Sequence, residues 1–151
     1  MEWTRGSLLI SDDQARLQLD KIHEMLSRTY WASERPREKT ARAIEGSLCL
    51  GLYEGDRQLG FLRVVTDYAC FAWVCDVVID ENERGRGLGK WLMDCLVTHP
   101  ALAGCSMSLR TKDAHGLYRQ YGFELAEAMK RPASDAADGE APVPANAGSE
   151  R

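Results

Sequence analysis

The stretch from Cys70 to Leu96 constrains the fold of this chain most. "CFAWVCDVVI" (70–79) is aromatic and β-branched with a single charge, the composition of a strand in the middle of a sheet. "DENERGRGLG" follows, with three glycines and two arginines. Beyond it Leu88, Trp91, Leu92, Cys95 and Leu96 fall at i, i+3, i+4, i+7 and i+8, one apolar stripe of a helix packed on a sheet. His99-Pro100 ends that helix, and "CSMSLRT" (105–111) reads as another strand. A strand–helix–strand order of this kind predicts a right-handed parallel crossover, and therefore a layered α/β chain.

The remaining elements build a sheet around that unit. "SLLIS" (7–11) is a short strand, and Asp12 and Asp13 can cap a helix on which Ala15, Leu19, Ile22 and Leu26 recur at helical spacing. Pro36 suits the first turn of a second helix ending near Gly46. "SLCLGLYE" (47–54), a turn at Gly55-Asp56 and "QLGFLRVVTD" (58–67) read as an antiparallel hairpin. "AHGLYRQY" (114–121) is a short helix stopped by Gly122, and "FELAEAM" (123–129) a final strand. A chain of 151 residues fits one core, placed here over 1–131. The segment 132–151 holds one large aliphatic residue, Val143, among Pro, Ala, Gly and acids; it cannot offset its ordering entropy by burial and is expected to be a disordered tail.

Several function classes are disfavoured. A net charge of −4 offers no basic face for nucleic acid, and no apolar run is long enough to span a bilayer. Five cysteines without a CxxC pair argue against a disulfide framework or a zinc site, so no metal is expected and a reducing, cytoplasmic setting is. Small buried hydrophobe is the reading for all five, including Cys75, which strand alternation turns away from Asp76.

The glycine turn carries the chemistry. A turn entering a helix exposes free amide N–H groups and the positive end of the helix dipole, and glycines permit positive φ. With Arg84, Arg86 and Lys90 alongside, it makes an anion cradle. A Walker A loop would need glycine at Arg84 and Ser or Thr at Trp91; a dinucleotide fingerprint begun at Gly85 would need glycine at Lys90. Neither fits. The pattern present is R-x-x-G-x-G, as Arg84-Gly85-Arg86-Gly87-Leu88-Gly89. On this turn, on "VVIDENERGRGLGKWLM" and on "DAHGLYRQYGFE", the chain resembles the GNAT superfamily of N-acetyltransferases over roughly residues 7–129.

The resemblance implies the GNAT fold: a mixed, mostly antiparallel sheet with a parallel β-α-β crossover at the site of coenzyme A. It implies that Arg84, Gly85, Arg86, Gly87, Leu88, Gly89 and Lys90 hold the pyrophosphate of acetyl-CoA. The pantetheine arm would pair with the backbone of Val77, Val78 and Ile79, whose amides could also polarise the thioester carbonyl. Tyr118 matches the family's general acid near the sulfur, and Thr111 stands where members often carry asparagine. Homodimers are common in the family.

The proton acceptor is less determined. Asp76, a carboxylate inside an apolar strand, either acts as a base with a burial-raised pKa, orients the substrate ammonium, or pairs with Arg63 or Arg110. His115 either acts directly or through water, or is a capping or surface histidine. The loop "TYWASERPREK" (29–39) offers Tyr30, Trp31, Glu34 and Arg35, with Trp73, as walls for a small cationic amine; a solvated loop is the ordinary alternative. Two functions follow: an acetyl-CoA-dependent N-acetyltransferase acting on a small-molecule or amino-acid-derived amine (or a protein amine), or a non-catalytic acyl-CoA sensor.

Overall fold

The computed structural model describes residues 1–134, and the segment 135–151, most of the expected tail, lies outside them. Six strands form one sheet in chain order: β1 (Glu2–Arg5), β2 (Leu8–Ser11), β3 (Leu48–Glu54), β4 (Arg57–Thr66), β5 (Phe71–Ile79) and β6 (Ser106–Leu109). Neighbours are antiparallel except β5 and β6, which are parallel, as the strand–helix–strand order predicts. Helices α1 (Leu19–Ser27) and α2 (Arg37–Glu45) precede β3. Helix α3 (Leu88–Val97) makes the crossover, and α4 (His115–Arg119) follows β6.

Each sheet face buries its own cluster. Leu50, Leu52, Leu62, Val64, Ala72 and Val74 pack with the α3 stripe of Leu88, Trp91, Leu92, Cys95 and Leu96. Cys49, Phe61 and Val78 pack with Ile22, Met25, Leu26 and Ile44 of α1 and α2. Both sides of the central strands are thus covered, which is why they read as nearly unbroken apolar runs.

Three elements differ from expectation. Strand β1 pairs Glu2 to Ser11 through Arg5 to Leu8, in a segment too short and polar to show as a strand. The first helix is interrupted. Asp13 caps only a 3₁₀ turn, Gln14–Arg16. The chain then runs extended because the Gln18 amide is held by Gln58 Oε1 at 2.8 Å and its side chain donates to the Asp56 carbonyl at 2.7 Å. The segment 123–129 forms no strand, and Leu125 and Met129 are exposed. "FELAEAM" contains no β-branched residue, and Glu, Leu, Ala and Met are better suited to helices, so nothing in its composition holds it on the β6 edge.

Candidate functional site

Strand β5 is where the site is organised. Arg63 pairs with Cys75 and Phe61 with Val78, so Leu62 alone faces both Asp76 and Val77: a β-bulge. Asp76 takes a left-handed conformation there, φ 55°, one of two non-glycine residues with positive φ among the described residues. The bulge coincides with the parting of β5 and β6. Their ladder runs from Phe71–Ser106 to Val74–Leu109; β5 continues to Ile79 while β6 stops. Beyond Val74, the side of β5 that faced β6 has no strand beside it. Val77 and Ile79 lean on the α3 cluster and Val78 is buried on the other face, leaving their backbone to line the gap.

At the end of β5, Asp80 accepts from the Asn82 amide and starts a 3₁₀ turn, Glu81–Glu83. The glycine turn then runs exposed into α3, with Gly85 at φ 82° and Gly87, the residue before the helix, at φ 72°. The first intrahelical bond is donated by Trp91 to the Gly87 carbonyl at 3.1 Å, so the amides of Leu88, Gly89 and Lys90 point out of the helix end. The Leu88 side chain is core and only its backbone can serve a ligand. Arg86 is committed to Glu83 (2.5 Å) and Glu54 (3.2 Å), whereas Arg84 and Lys90 form no ion pair among the described residues. The turn therefore fits an anion through amides, dipole and two free cations.

A cleft of about 740 Å³ opens between the α1–α2 loop, β4, β5 and the chain after β6. Tyr30, Trp31, Arg35, Trp73, Asp76, Thr111 and Tyr118 all line it, so most of the expected acceptor and catalytic residues do meet. Glu34 does not line it and is exposed. His115 lines instead a neighbouring cleft of about 880 Å³ between β6 and 122–128, which shares Tyr118, Thr111 and Trp73. The Thr111 hydroxyl accepts from the Ala114 amide at 3.0 Å and shapes the entry to α4. Burial raises the pKa of Tyr118, with Tyr30 nearby adding to the effect, so its phenol stays protonated beyond ordinary tyrosine.

Of the readings open for Asp76, its partners favour the ion pair over the base. Arg35 grips it with two hydrogen bonds (2.7 and 3.0 Å), Arg63 Nε donates at 2.8 Å and Trp31 Nε1 at 3.1 Å. Burial alone would raise its pKa; the hydrogen bonds from Arg35 and Arg63 outweigh that and hold it below the usual carboxylate range. Arg110 is not among its partners. The bulge also overturns the simple alternation, since Cys75 and Asp76 line the same cleft. Burial pushes the Cys75 thiol up, and Cys49 behind it to about 12, which keeps both un-ionised. Arg63, one of the two partners the sequence offers Asp76, also lines the cleft, a place the sequence does not give it.

A family model described as an acetyltransferase (GNAT) domain matches residues 45–125, from β3 to just past α4. The chain belongs to the GNAT acetyltransferase family. A GNAT-family crystal structure from Xanthomonas campestris pv. campestris, described as a candidate acetyltransferase, is 42% identical with a TM-score of 0.80, covering 83% of this chain and 93% of that one. A Gibberella zeae protein, named as a candidate acetyltransferase, is 33% identical over 114 residues, 62% of this chain. A Prochlorococcus marinus protein described as an uncharacterized N-acetyltransferase is 34% identical over 82 residues, 51% of this chain. The chain spans 64% and 45% of the lengths of those two relatives. Among the described residues no helix is long and apolar enough to cross a membrane, and no group of three His, Cys, Asp or Glu side chains is placed to hold a metal ion.

Proposed function

We propose that this chain transfers an acetyl group from acetyl-CoA directly to the amine of a small molecule or amino-acid derivative, both held at once. One observation carries the reading: the open side of β5, from the Asp76 bulge to the glycine turn, runs between Tyr118 and a built anion cradle. The amides of Leu88, Gly89 and Lys90, with Arg84 and Lys90, would hold the pyrophosphate. The exposed backbone of Val77, Val78 and Ile79 would hold the pantetheine arm. Acetyl-CoA supplies the activated thioester.

In the transfer, the amine nitrogen forms the new C–N bond as the C–S bond breaks. The amine gives up one proton and the departing sulfur takes one. Tyr118 Oη would donate the second of these. Burial raises the Tyr118 phenol above its ordinary range, already higher than that of a thiol, so geometry matters more than driving force. The first proton needs no buried base. Neutralising an ordinary primary amine at pH 7 costs about 4–5 kcal/mol. Arg35 and Arg63, in the cleft wall, disfavour an ammonium beside them and lower that cost. Water in the open cleft can take the proton.

Release of free CoA from acetyl-CoA across a panel of amines and peptides tests the reading. Turnover on small amines is expected. Tight CoA binding with no turnover on any acceptor would assign the chain to the sensor class instead. Tyr118→Phe is expected to lower kcat by about 10²-fold with CoA affinity kept. Equal turnover in that variant would remove Tyr118 from proton transfer.

A further inference from the structure

The acceptor expected from sequence was a small cation, and the charges of the cleft are wrong for one. Four cationic side chains line it, Arg35, Arg63, Arg110 and Lys112, against two carboxylates, Asp76 and Asp113, a surplus of two positive charges. Asp76 is unavailable to a substrate ammonium. Its Oδ1 accepts from Arg35 Nη2 and Trp31, its Oδ2 from Arg35 Nη1 and Arg63 Nε, so all four lone-pair positions are taken. One carboxylate between two guanidinium groups leaves one positive charge over, on side chains only 13% and 20% exposed. Such a surplus is costly when partly buried and unpaired.

The donors for an incoming anion are present. The bonds to Asp76 and Ser47 use Nε and Nη1 of Arg63 and both Nη atoms of Arg35. Arg63 Nη2 and Arg35 Nε keep N–H groups that no described residue accepts from. Arg110 and Lys112 are exposed at the rim, Lys112 Nζ lying 5.5 Å from the centre of the Tyr30 ring. We infer that the acceptor amine of this enzyme carries an anionic group, a carboxylate or a phosphate, which the Arg63–Arg35 pair receives while Arg110 and Lys112 draw it in. Resting on the acetyl-transfer reading, this narrows the acceptor to amines of the amino-acid or amino-phosphate class. Asp76 is then a positioning residue: it fixes the two arginines and the bulge, and the arginines meet the substrate.

Matched acceptors test it. Amino acids are compared with their carboxamides, aminoalkyl phosphates with the corresponding amino alcohols, and diamines serve as the cationic arm, each by kcat/KM at low salt. The anionic member of at least one pair is expected to lead its neutral partner tenfold or more, with added salt narrowing the gap. Which pair shows the lead separates carboxylate from phosphate. Binding of N-acetyl amino acids against their amides in the presence of CoA gives the same comparison without turnover. Replacing both rim cations, Arg110→Ala with Lys112→Ala, is expected to cut the anionic preference at least threefold, in KM rather than kcat. Neutral or dicationic amines equal to or better than anionic ones, or no difference in product binding, would overturn the inference. CoA affinity, measured alone, tells the two failures apart: normal CoA binding with neutral amines preferred sinks only the anionic acceptor, whereas absent CoA binding sinks the acetyl-transfer reading itself.

Discussion

The two ends of the site lie along one strand and are built from different materials. The glycine turn at the end of β5 works through backbone: left-handed glycines, unpaired amides and the dipole of α3. The cleft at the middle of β5 works through side chains brought from three places, Arg35 from the α1–α2 loop, Arg63 from β4 and Asp76 from the bulge. A backbone site is written in consecutive residues, where only glycine does what glycine does. A side-chain site depends on the fold to assemble it, and its charges acquire meaning only once their partners are known.

The largest expected effect is at the backbone end. Gly87 sits at φ 72°, and a Cβ there would meet no atom within 4 Å, so space does not forbid a side chain but conformation does. A β-branched residue is strained in that region, and relieving the strain would turn the Leu88–Lys90 amides away. Gly87→Val is therefore expected to abolish CoA binding, read by calorimetry, with the far-ultraviolet circular dichroism of the folded chain retained. Gly87→Ala should fall between. Wild-type affinity in the valine variant would mean that the cradle is made by Arg84 and Lys90 after all.

At the side-chain end the decisive variant is Asp76→Asn. If Asp76 holds two arginines, the variant leaves their charges unpaired in the cleft wall and should cost about 3 kcal/mol of stability. For a chain of this size that is a fall in Tm of roughly 6–12 °C. If instead Asp76 were the base, kcat would collapse at unchanged Tm. The acid dependence separates the two again. A carboxylate whose pKa is lowered in the folded state contributes stability that is present above its unfolded pKa, about 3.9, and is lost as pH falls through the lower folded value. The stability gap between wild type and variant should thus be flat above about pH 5 and close in stronger acid. A base would instead place an acid limb in the rate profile at a raised pKa, and the variant would remove it.

The same contrast explains what was legible. The hairpin, the central strand, the α3 stripe and the R-x-x-G-x-G turn are local patterns, and each lies where its residues imply. Asp76 was visible as an anomaly, yet its role turns on a two-against-one register with Leu62 that a single strand does not reveal. Arg35 was singled out for its loop and not for its partner, because no spacing rule links residue 35 to residue 76. Glu34, one residue away, points elsewhere for the same lack of a rule. The strand expected at 123–129 is absent because that segment has neither a sustained apolar alternation nor β-branched side chains to hold the edge.

The smallest effect is the sharpest check on the contrast. Tyr121 Oη donates to the Lys90 carbonyl at 2.9 Å, tying the end of α4 to the first turn of α3. It is the direct side-chain support for the backbone cradle from across the gap. That carbonyl has two lone pairs and, inside a helix, one is already used by the ladder, so losing the tyrosine hydroxyl leaves no orphaned acceptor. Tyr121→Phe should then cost only about 0.5–1 kcal/mol in stability, measured by urea unfolding. CoA affinity should fall by less than about threefold, because 1.4 kcal/mol would be needed for tenfold. A much larger loss of affinity at near-normal stability would show that α4 sets the amides of the turn. The cradle would then depend on assembled side chains as the acceptor cleft does, and the division between the two ends of β5 would not hold.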